Sequence, residues 1–384
     1  MKSPNKERIC SVTVMDTTTN LIRFDGSGVS NFVHEFNKVA ASTIFRKEED
    51  RKKDLALVIS KLKAAPSKEG YHCVLGLSGG VDSTYLALFC KTHGIKPLCV
   101  HFDNGWNTEI AVQNIHSIVD KLGFDLKTFV MDWEEFRDIQ LAFFKASVMD
   151  LEVPTDQFIF GALNKIAQES GIKYILSGNN IATEFVIPYD WKYDKFDLVN
   201  LKAIHRLFGK LPLRKMPALG KNRIYYYKTA AKIETISLLD LVGYKKKEAI
   251  ALITQELDWK NYGDKHQESV FTRWFQGYYL PVKFNIDKRK AHLSNLILNG
   301  EMTREEALEA LEKPPYDVAV QQEDCIYVSK KWGLTADEFL HFMQLPVKAH
   351  TAYPNDKTYM NYLKQRLYKK IPVALLRLIG LPRS

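Results

Sequence analysis

Six consecutive residues, Ser78-Gly79-Gly80-Val81-Asp82-Ser83, have the types and order to cradle an anion. Gly79 and Gly80 can take backbone angles closed to other residues. Ser78, Ser83 and the following Thr84 add hydroxyl donors, and Asp82 adds a carboxylate that could equally cap a helix. The apolar run from Cys73 to Leu77 reads as a buried strand, Thr84 to His93 as a helix, and Gly94 as its stop. Between strand and helix the loop amides point into one concavity, where the helix dipole favours negative charge. No Gly-Lys-Ser/Thr follows, so this is not a Walker A loop.

A loop of this kind needs a sheet to hold it, and residues 70 to 178 supply the pattern. Strand 73–77 leads to helix 83–93, strand 97–102 to a helix over 108–122 that ends at Gly123, and strand 125–131 to a helical stretch over 133–148. Thr155 or Asp156 is then expected to cap a helix that runs to Ser170 and stops at Gly171, before strand 172–176. This alternation predicts an α/β fold, a parallel doubly wound sheet covered on both faces. Ligands of such sheets bind beyond the carboxyl ends of the strands, where strand order reverses. Three polar loops leave strand ends, at 78–83, 103–107 and 177–184, and are expected to converge.

The flanks differ. Residues 1–62 read as a small N-terminal module: a short strand and turn over Leu21 to Gly26, then a charged helix over 45–63 whose mixed signs suit a solvated face. Residues 63–215 carry the sheet, and 216–384 read as mainly helical. Helices are expected over 231–242, 246–257 and 335–343, and Thr303-Arg304-Glu305-Glu306 is a capping box opening a helix that Pro314-Pro315 ends. The tail, Leu363 to Ser384, mixes cations with Ile371-Pro372-Val373 and could lie on a membrane surface or dock on the protein.

Composition sets outer bounds. The 384 residues are 46% hydrophobic and 12% aromatic, enough for a sizeable core. No run of eighteen apolar residues exists and no secretory h-region follows Met1, so neither a membrane span nor a signal peptide is expected. Five scattered cysteines, three of them in apolar runs, suit reduced thiols in a cytoplasmic protein. A net charge of +9 fits nucleic acid, anionic membrane or acidic small molecules, but we read no RNA-recognition signature and no long basic stripe with interleaved aromatics. Lys245-Lys246-Lys247 reads as a solvated turn or helix start.

The loop resembles the SGGxDS loop of the PP-loop ATP pyrophosphatases, the superfamily of asparagine synthetase, GMP synthetase, NAD synthetase and the tRNA lysidine synthetases. That resemblance implies an adenine nucleotide α-hydrolase-like fold and a loop that holds the pyrophosphate end of ATP, with cleavage between the α and β phosphates. Further segments narrow it: His101-Phe102-Asp103-Asn104-Gly105-Trp106-Asn107, Ser177-Gly178-Asn179-Asn180 through Glu184, Gln267-Glu268-Ser269 through Pro281, and Ile286-Asp287-Lys288-Arg289-Lys290-Ala291-His292. With Gly300 to Ala307 and Lys313-Pro314-Pro315-Tyr316, they look like the N-acetyl sugar amidotransferase family of lipopolysaccharide O-antigen and flagellar-glycan synthesis. The resemblance covers about residues 8 to 345.

It implies a bacterial, cytoplasmic, ATP- and Mg²⁺-dependent enzyme that turns the acetamido group of an acidic or nucleotide-activated sugar into an acetamidino group. Ser78, Gly79, Gly80, Val81, Asp82 and Ser83 match the pyrophosphate loop, Phe102, Asp103 and Asn104 the adenosine region, and Gly178, Asn179 and Glu184 a second motif beside ATP. Glu184 would hold Mg²⁺ or orient the acceptor. Trp106, Arg273, Lys288 and Arg289 are substrate-binding candidates, and Asp82, Glu184, Lys288 and Arg289 catalytic ones. Each cation could instead sit in a surface ion pair.

No cysteine has a glutaminase setting, so a separate glutaminase subunit, with a cyclase-like subunit as a further partner, is implied as the ammonia source. Relatives carry two Cys-x-x-Cys pairs near the N-terminus, where this chain has Cys10 and Thr13, then Ser30 and Val33. One thiol does not make a tetrahedral site, so no structural zinc is expected, and Leu21, Ile22, Phe24, Val29, Phe32 and Phe36 must hold the module by packing. The alternative enzyme is a tRNA-modifying PP-loop ATPase of the lysidine synthetase or thiolation type, which the positive charge favours mildly.

Overall fold

The computed structural model describes residues 8–261 and 268–360, so the expectations for the tail beyond 363 and for Gln267 lie outside the described residues. Two helices, α1 (Asn31–Ser42) and α2 (Glu48–Lys63), precede the sheet. Then come β1 (Cys73–Gly76), α3 (Val81–Thr92), β2 (Pro97–Asp103), α4 (Glu109–Leu122), β3 (Asp125–Val130), α5 (Trp133–Lys145), α6 (Val153–Glu169) and β4 (Tyr174–Ser177). After β4 follow α7 (Ile181–Glu184), α8 (Leu198–Phe208), α9 (Lys221–Thr229), β5 (Glu234–Ser237) and α10 (Lys246–Leu257).

All pairings are parallel and the strand order is β3-β2-β1-β4-β5. The chain moves outward from β1 through β2 to β3, then crosses back to place β4 on the other side of β1. Strand order therefore reverses between β1 and β4. Alternation along β1 sends Val74 to one core, with Phe136, Phe158 and Leu163 of α5 and α6, and Cys73 and Leu75 to the other, with Leu86, Ile115 and Ile253 of α3, α4 and α10. Helices cover both faces, as the α/β reading requires. All five cysteines are free thiols, and burial pushes the Cys99 thiol up to about 12.

Several local expectations change. The stretch 231–242 is not a helix: it gives β5 and a short 3-10 turn, because Thr235 and Ile236 find a partner edge in β4. The sheet thus extends past residue 215, where the sequence reading ended it. Helix α6 begins at Val153 with Pro154 in its first turn, upstream of Thr155 and Asp156. Leu21 is exposed rather than packed, and the segment around it forms only an isolated bridge between Phe24 and Ser30. Residues 198–233 hold nine Lys and Arg and no Asp or Glu, equal to the chain's whole net charge, and Tyr225 and Tyr226 stand exposed among them. This is the basic stretch with aromatics that the sequence reading passed over.

The C-terminal region is helical: α11 (Val270–Trp274), a π-helical turn (Phe275–Tyr279), α12 (Leu280–Phe284), α13 (Arg289–Leu298), α14 (Arg304–Glu312), α15 (Val318–Trp332) and α16 (Ala336–Gln344). The capping box at Thr303 and Glu306 is present, and Thr335 and Glu338 form a second. This region is stitched to the loop after β2. The Val270 amide donates to the Trp106 carbonyl at 2.9 Å, and the Thr108 amide donates to the Glu268 carbonyl at 2.9 Å. Among the described residues no helix is long and apolar enough to cross a membrane.

Candidate active site

The anion loop lies at the carboxyl end of β1, on the switch point between β1 and β4. Its hydroxyls brace it from within. The Ser83 hydroxyl accepts from the Ser78 amide at 3.3 Å and donates to the Gly80 carbonyl at 3.2 Å, while the Ser78 hydroxyl accepts from the Gly80 amide at 3.2 Å. The Thr84 hydroxyl donates to the Gly80 carbonyl at 2.7 Å. Gly80 is the N-cap of α3 and offers no side-chain cap to the first amides of that helix. Gly79 is obligatory twice over: its φ is +78°, and a Cβ there would meet the Ala111 carbonyl oxygen at 2.6 Å.

Two residues that the sequence reading missed complete the loop. Trp259 donates its indole N–H to the Gly79 carbonyl at 2.9 Å. The Tyr244 hydroxyl donates to the Asp82 carboxylate. Burial, then the adjacent Asp82 charge, pushes the Tyr244 phenol far above its ordinary range, so it stays a donor. Asp82 stands in the first turn of α3 but does not cap it. Neither Tyr244 nor Trp259 belongs to a local motif, and no signal near them in the chain points to the loop.

The β4 loop meets the anion loop directly. A Cβ on Gly178 would lie 3.4 Å from the Asp82 Cβ and 3.7 Å from the Ser83 amide. Asn180 caps α7, accepting from the Thr183 amide at 2.9 Å, and Asn179 is exposed beside it. Glu184 ends α7 close to Asp240, whose carboxylate accepts from the Ile181 amide at 2.7 Å. Burial raises the Asp240 pKa and the Glu184 charge adds to the rise. Gly178, Asn179 and the anion loop therefore converge, with Glu184 one short helix away.

The loop after β2 is built largely on contacts within the protein. Phe102 is a core residue against Phe129, and only its backbone reaches the strand end. Asp103 and Asn104 turn the chain by accepting from the Gly105 and Trp106 amides at 2.9 and 3.0 Å. Trp106 is not at a ligand surface. It is buried against Trp133, Phe271, Tyr327 and Trp332, and donates to Gln140 at 2.9 Å. His101 bridges this loop and β1, its ring nitrogens lying 3.4 Å from the Leu77 carbonyl and 3.4 Å from Asn107, and burial lowers its pKa.

The three C-terminal cations part company. Arg273 makes a two-pronged pair with Asp324 at 2.8 and 2.9 Å. Arg289 pairs with Asp287 at 2.7 Å and donates to the Lys313 carbonyl at 2.9 Å, tying α13 to the end of α14. Both guanidinium groups are thus engaged by the protein. Lys288 is different: it is 91% buried by its 9% exposure, and its ammonium lies 5.2 Å from the Phe275 ring. Its neighbours are charged groups. Lys195 bridges Asp150 and Asp156 at 2.9 Å each, and Glu152 accepts from the Thr272 hydroxyl at 2.6 Å. Burial opposes ionisation of Asp150, yet Lys195 and Lys288 hold its pKa down to about 2, while burial raises that of Glu152.

The Lys288 cluster lies toward the edge of the sheet that carries the anion loop, as the course of α6 shows. Leu163 of α6 packs over Gly76 at the carboxyl end of β1, and α6 then descends to the start of β4. Ten residues separate Leu163 from Val153, so the start of α6 lies ~15 Å along the helix axis from the point where it packs on β1. A pocket of about 490 Å³ lies elsewhere, between α2, α3 and α10, lined by Tyr85, Phe89, His93 and Leu252.

At the N-terminus Cys10, Thr13 and Ser30 do meet: the Cys10 sulfur accepts from the Thr13 and Ser30 amides at 3.5 and 3.3 Å. The set offers one thiol, which does not fit a tetrahedral zinc. Among the described residues no group of three or more His, Cys, Asp or Glu could hold a metal ion.

Comparison with known proteins bears on the C-terminal region first. Residues 268–367 match the family model described as the C-terminal domain of WbpG-like LPS biosynthesis proteins. No curated protein matches the chain. Among solved structures, the predicted subunit of a tRNA methyltransferase from Methanocaldococcus jannaschii is similar at 16% identity and a TM-score of 0.28, over 47% of this chain and 75% of that one.

Proposed function

We propose that the chain is the synthetase subunit of an AMP-forming amidotransferase in surface-polysaccharide biosynthesis, acting on an N-acetyl sugar that is acidic or nucleotide-activated. The observation that carries this reading is the Ser78–Ser83 loop at the switch point, facing Gly178 of the next loop. The match of residues 268–367 to an LPS biosynthesis domain supports the pathway class.

The loop fits the pyrophosphate end of ATP. Gly79 has no room for a side chain, Gly80 places no side-chain cap over the start of α3, and Ser78 and Ser83 hold the turn in place. In the proposed reaction the acetamido oxygen attacks the α phosphorus of ATP and pyrophosphate leaves. Ammonia then adds to the imidate carbon, and AMP departs with the former acetamido oxygen, leaving an acetamidino group. The loop amides neutralise charge that builds on the leaving pyrophosphate. Mg²⁺ would enter on ATP, screening its phosphates, with Asp82 and Glu184 as the carboxylates proposed to meet it. A separate glutaminase subunit, with or without a cyclase-like one, would supply the ammonia.

The test is AMP and pyrophosphate release by the full chain with ATP, Mg²⁺ and ammonium, across nucleotide-linked and acidic N-acetyl sugars. Acceptor-dependent AMP is expected with ammonium and not with glutamine. Acceptor-independent hydrolysis, or glutamine use by the chain alone, would overturn the reading. A second reading, a tRNA-modifying PP-loop ATPase, is favoured by the acid-free stretch 198–233 with its exposed Tyr225 and Tyr226. It requires tRNA binding that weakens steeply with salt.

A further inference from the structure

Lys288 and Lys192 share an unusual condition. Neither ammonium has a hydrogen-bond acceptor or a carboxylate within ion-pair distance among the described residues, while each rests on an aromatic ring, Phe275 at 5.2 Å and Tyr189 at 4.8 Å. The carboxylates that might satisfy them are occupied: Asp150 and Asp156 by Lys195, and Glu152 by the Thr272 hydroxyl. Burial lowers the pKa of both lysines, and the charges of Lys195 and Lys288 add to the effect on Lys192. Asp150 attracts both ammonium groups from beyond ion-pair distance, but a desolvated cation without a hydrogen-bond acceptor is still costly in a protein that uses it only for packing. An oxyanion bound between them would supply the missing acceptors.

Position gives that anion a source. The cluster sits at the start of α6, the end of that helix directed toward the carboxyl edge of β1. A substrate meeting a nucleotide at the switch point would extend into this space. We propose that Lys288 and Lys192 form a second anion site, which takes an oxyanion, a carboxylate or a phosphate, of the acceptor substrate. This rests on the amidotransferase reading for the identity of the acceptor, but not for the site itself.

The experiment is calorimetric titration of the full chain with three probes: UDP-N-acetylglucosamine, its 6-carboxylate, and N-acetylneuraminate. They offer phosphate only, phosphate with carboxylate, and carboxylate only. At least one should bind, and the pattern identifies the oxyanion. Lys288→Met and Lys192→Met should each weaken that binding about tenfold or more, the loss of a charged hydrogen bond. Mg-ATP binding, titrated separately, should change less than about twofold. The melting temperature of Lys288→Met should change little, because the desolvation that is relieved offsets the attraction lost from Asp150 and Glu152. Unchanged probe binding in both variants, no binding of any probe by the parent, or a large fall in melting temperature for Lys288→Met would overturn the proposal. Probe binding without ATP turnover would leave the site standing and sink the amidotransferase reading alone.

Discussion

Tyr244 and Asp82 stand 162 residues apart in the chain and are joined by a hydrogen bond from the phenol to the carboxylate. The bond ties the segment that leads into α10 to the first turn of α3, and so fixes the direction of the one carboxylate in the anion loop. Tyr244→Phe keeps the ring against Tyr85 and deletes only the donor. We expect turnover to fall about tenfold, the worth of a hydrogen bond to a charged group. Asp82→Ala should fall further, by about 10². Steady-state kinetics beside thermal melting checks both; full activity in Tyr244→Phe would mean that the bond serves folding alone.

Gly79→Ala should disable the loop. Positive φ alone costs on the order of 1 kcal/mol for a side chain, and the Ala111 carbonyl at 2.6 Å forces a backbone shift besides. Gly26→Ala is the matched control, since no atom lies within 4 Å of its added Cβ. ATP binding should be lost in the first variant and untouched in the second. Equal ATP affinity in the two would remove the loop from nucleotide binding.

Arg273 and Arg289 should matter for stability rather than for substrate. Removing Arg273 strands Asp324 in a largely buried setting, at a cost of about 3 kcal/mol. Arg289→Ala should lower the melting temperature by a smaller amount and leave the KM for the acceptor within about twofold. A large KM change without a change in melting would restore these residues to the substrate site.

Stability should fall on acidification, and His350 should be one reason. Burial lowers its pKa to about 4, below the ordinary value of 6.5. The ring is held neutral between Asn200, at 3.0 Å from Nδ1, and the Asp150 amide, which donates to Nε2 at 3.2 Å. A depressed folded-state pKa gives stability that is complete above 6.5 and is lost as pH falls toward 4. The window is worth about 3 kcal/mol. His350→Gln should flatten the stability curve across that interval in denaturant titrations; an unchanged slope would assign the acid sensitivity to other groups.

Elements with local signatures were legible in the sequence. The anion loop, the strand and helix alternation through β4 and the capping box at Thr303 each depend on residues within a few positions of one another. What was not legible depends on distant partners. β5 has a helix-compatible composition and becomes a strand only because the β4 edge is open to it. Trp106 lies among polar residues in the sequence, and its burial is supplied by α5 and by helices more than 160 positions later. Lys288 and Arg289 are neighbours with equal claims until the fold brings the Ala310 and Lys313 carbonyls to Arg289 and lays the Lys288 ammonium on the Phe275 ring.

The backbone stitching between Trp106–Thr108 and Glu268–Val270 bears on how this chain can be divided. The region of family similarity opens at residue 268, where main-chain bonds join it to a loop of the sheet. Trp106 and Trp133 on one side of that border share a core with Phe271, Trp274 and Trp332 on the other. A cut at 268 would therefore give two fragments, each with a sheared aromatic face, and neither would be a self-sufficient folding unit. What similarity marks as a domain is, mechanically, one half of a joint: the helices that would receive an acceptor and the sheet that would hold a nucleotide are built on the same core, so neither can drift or be exchanged without the other.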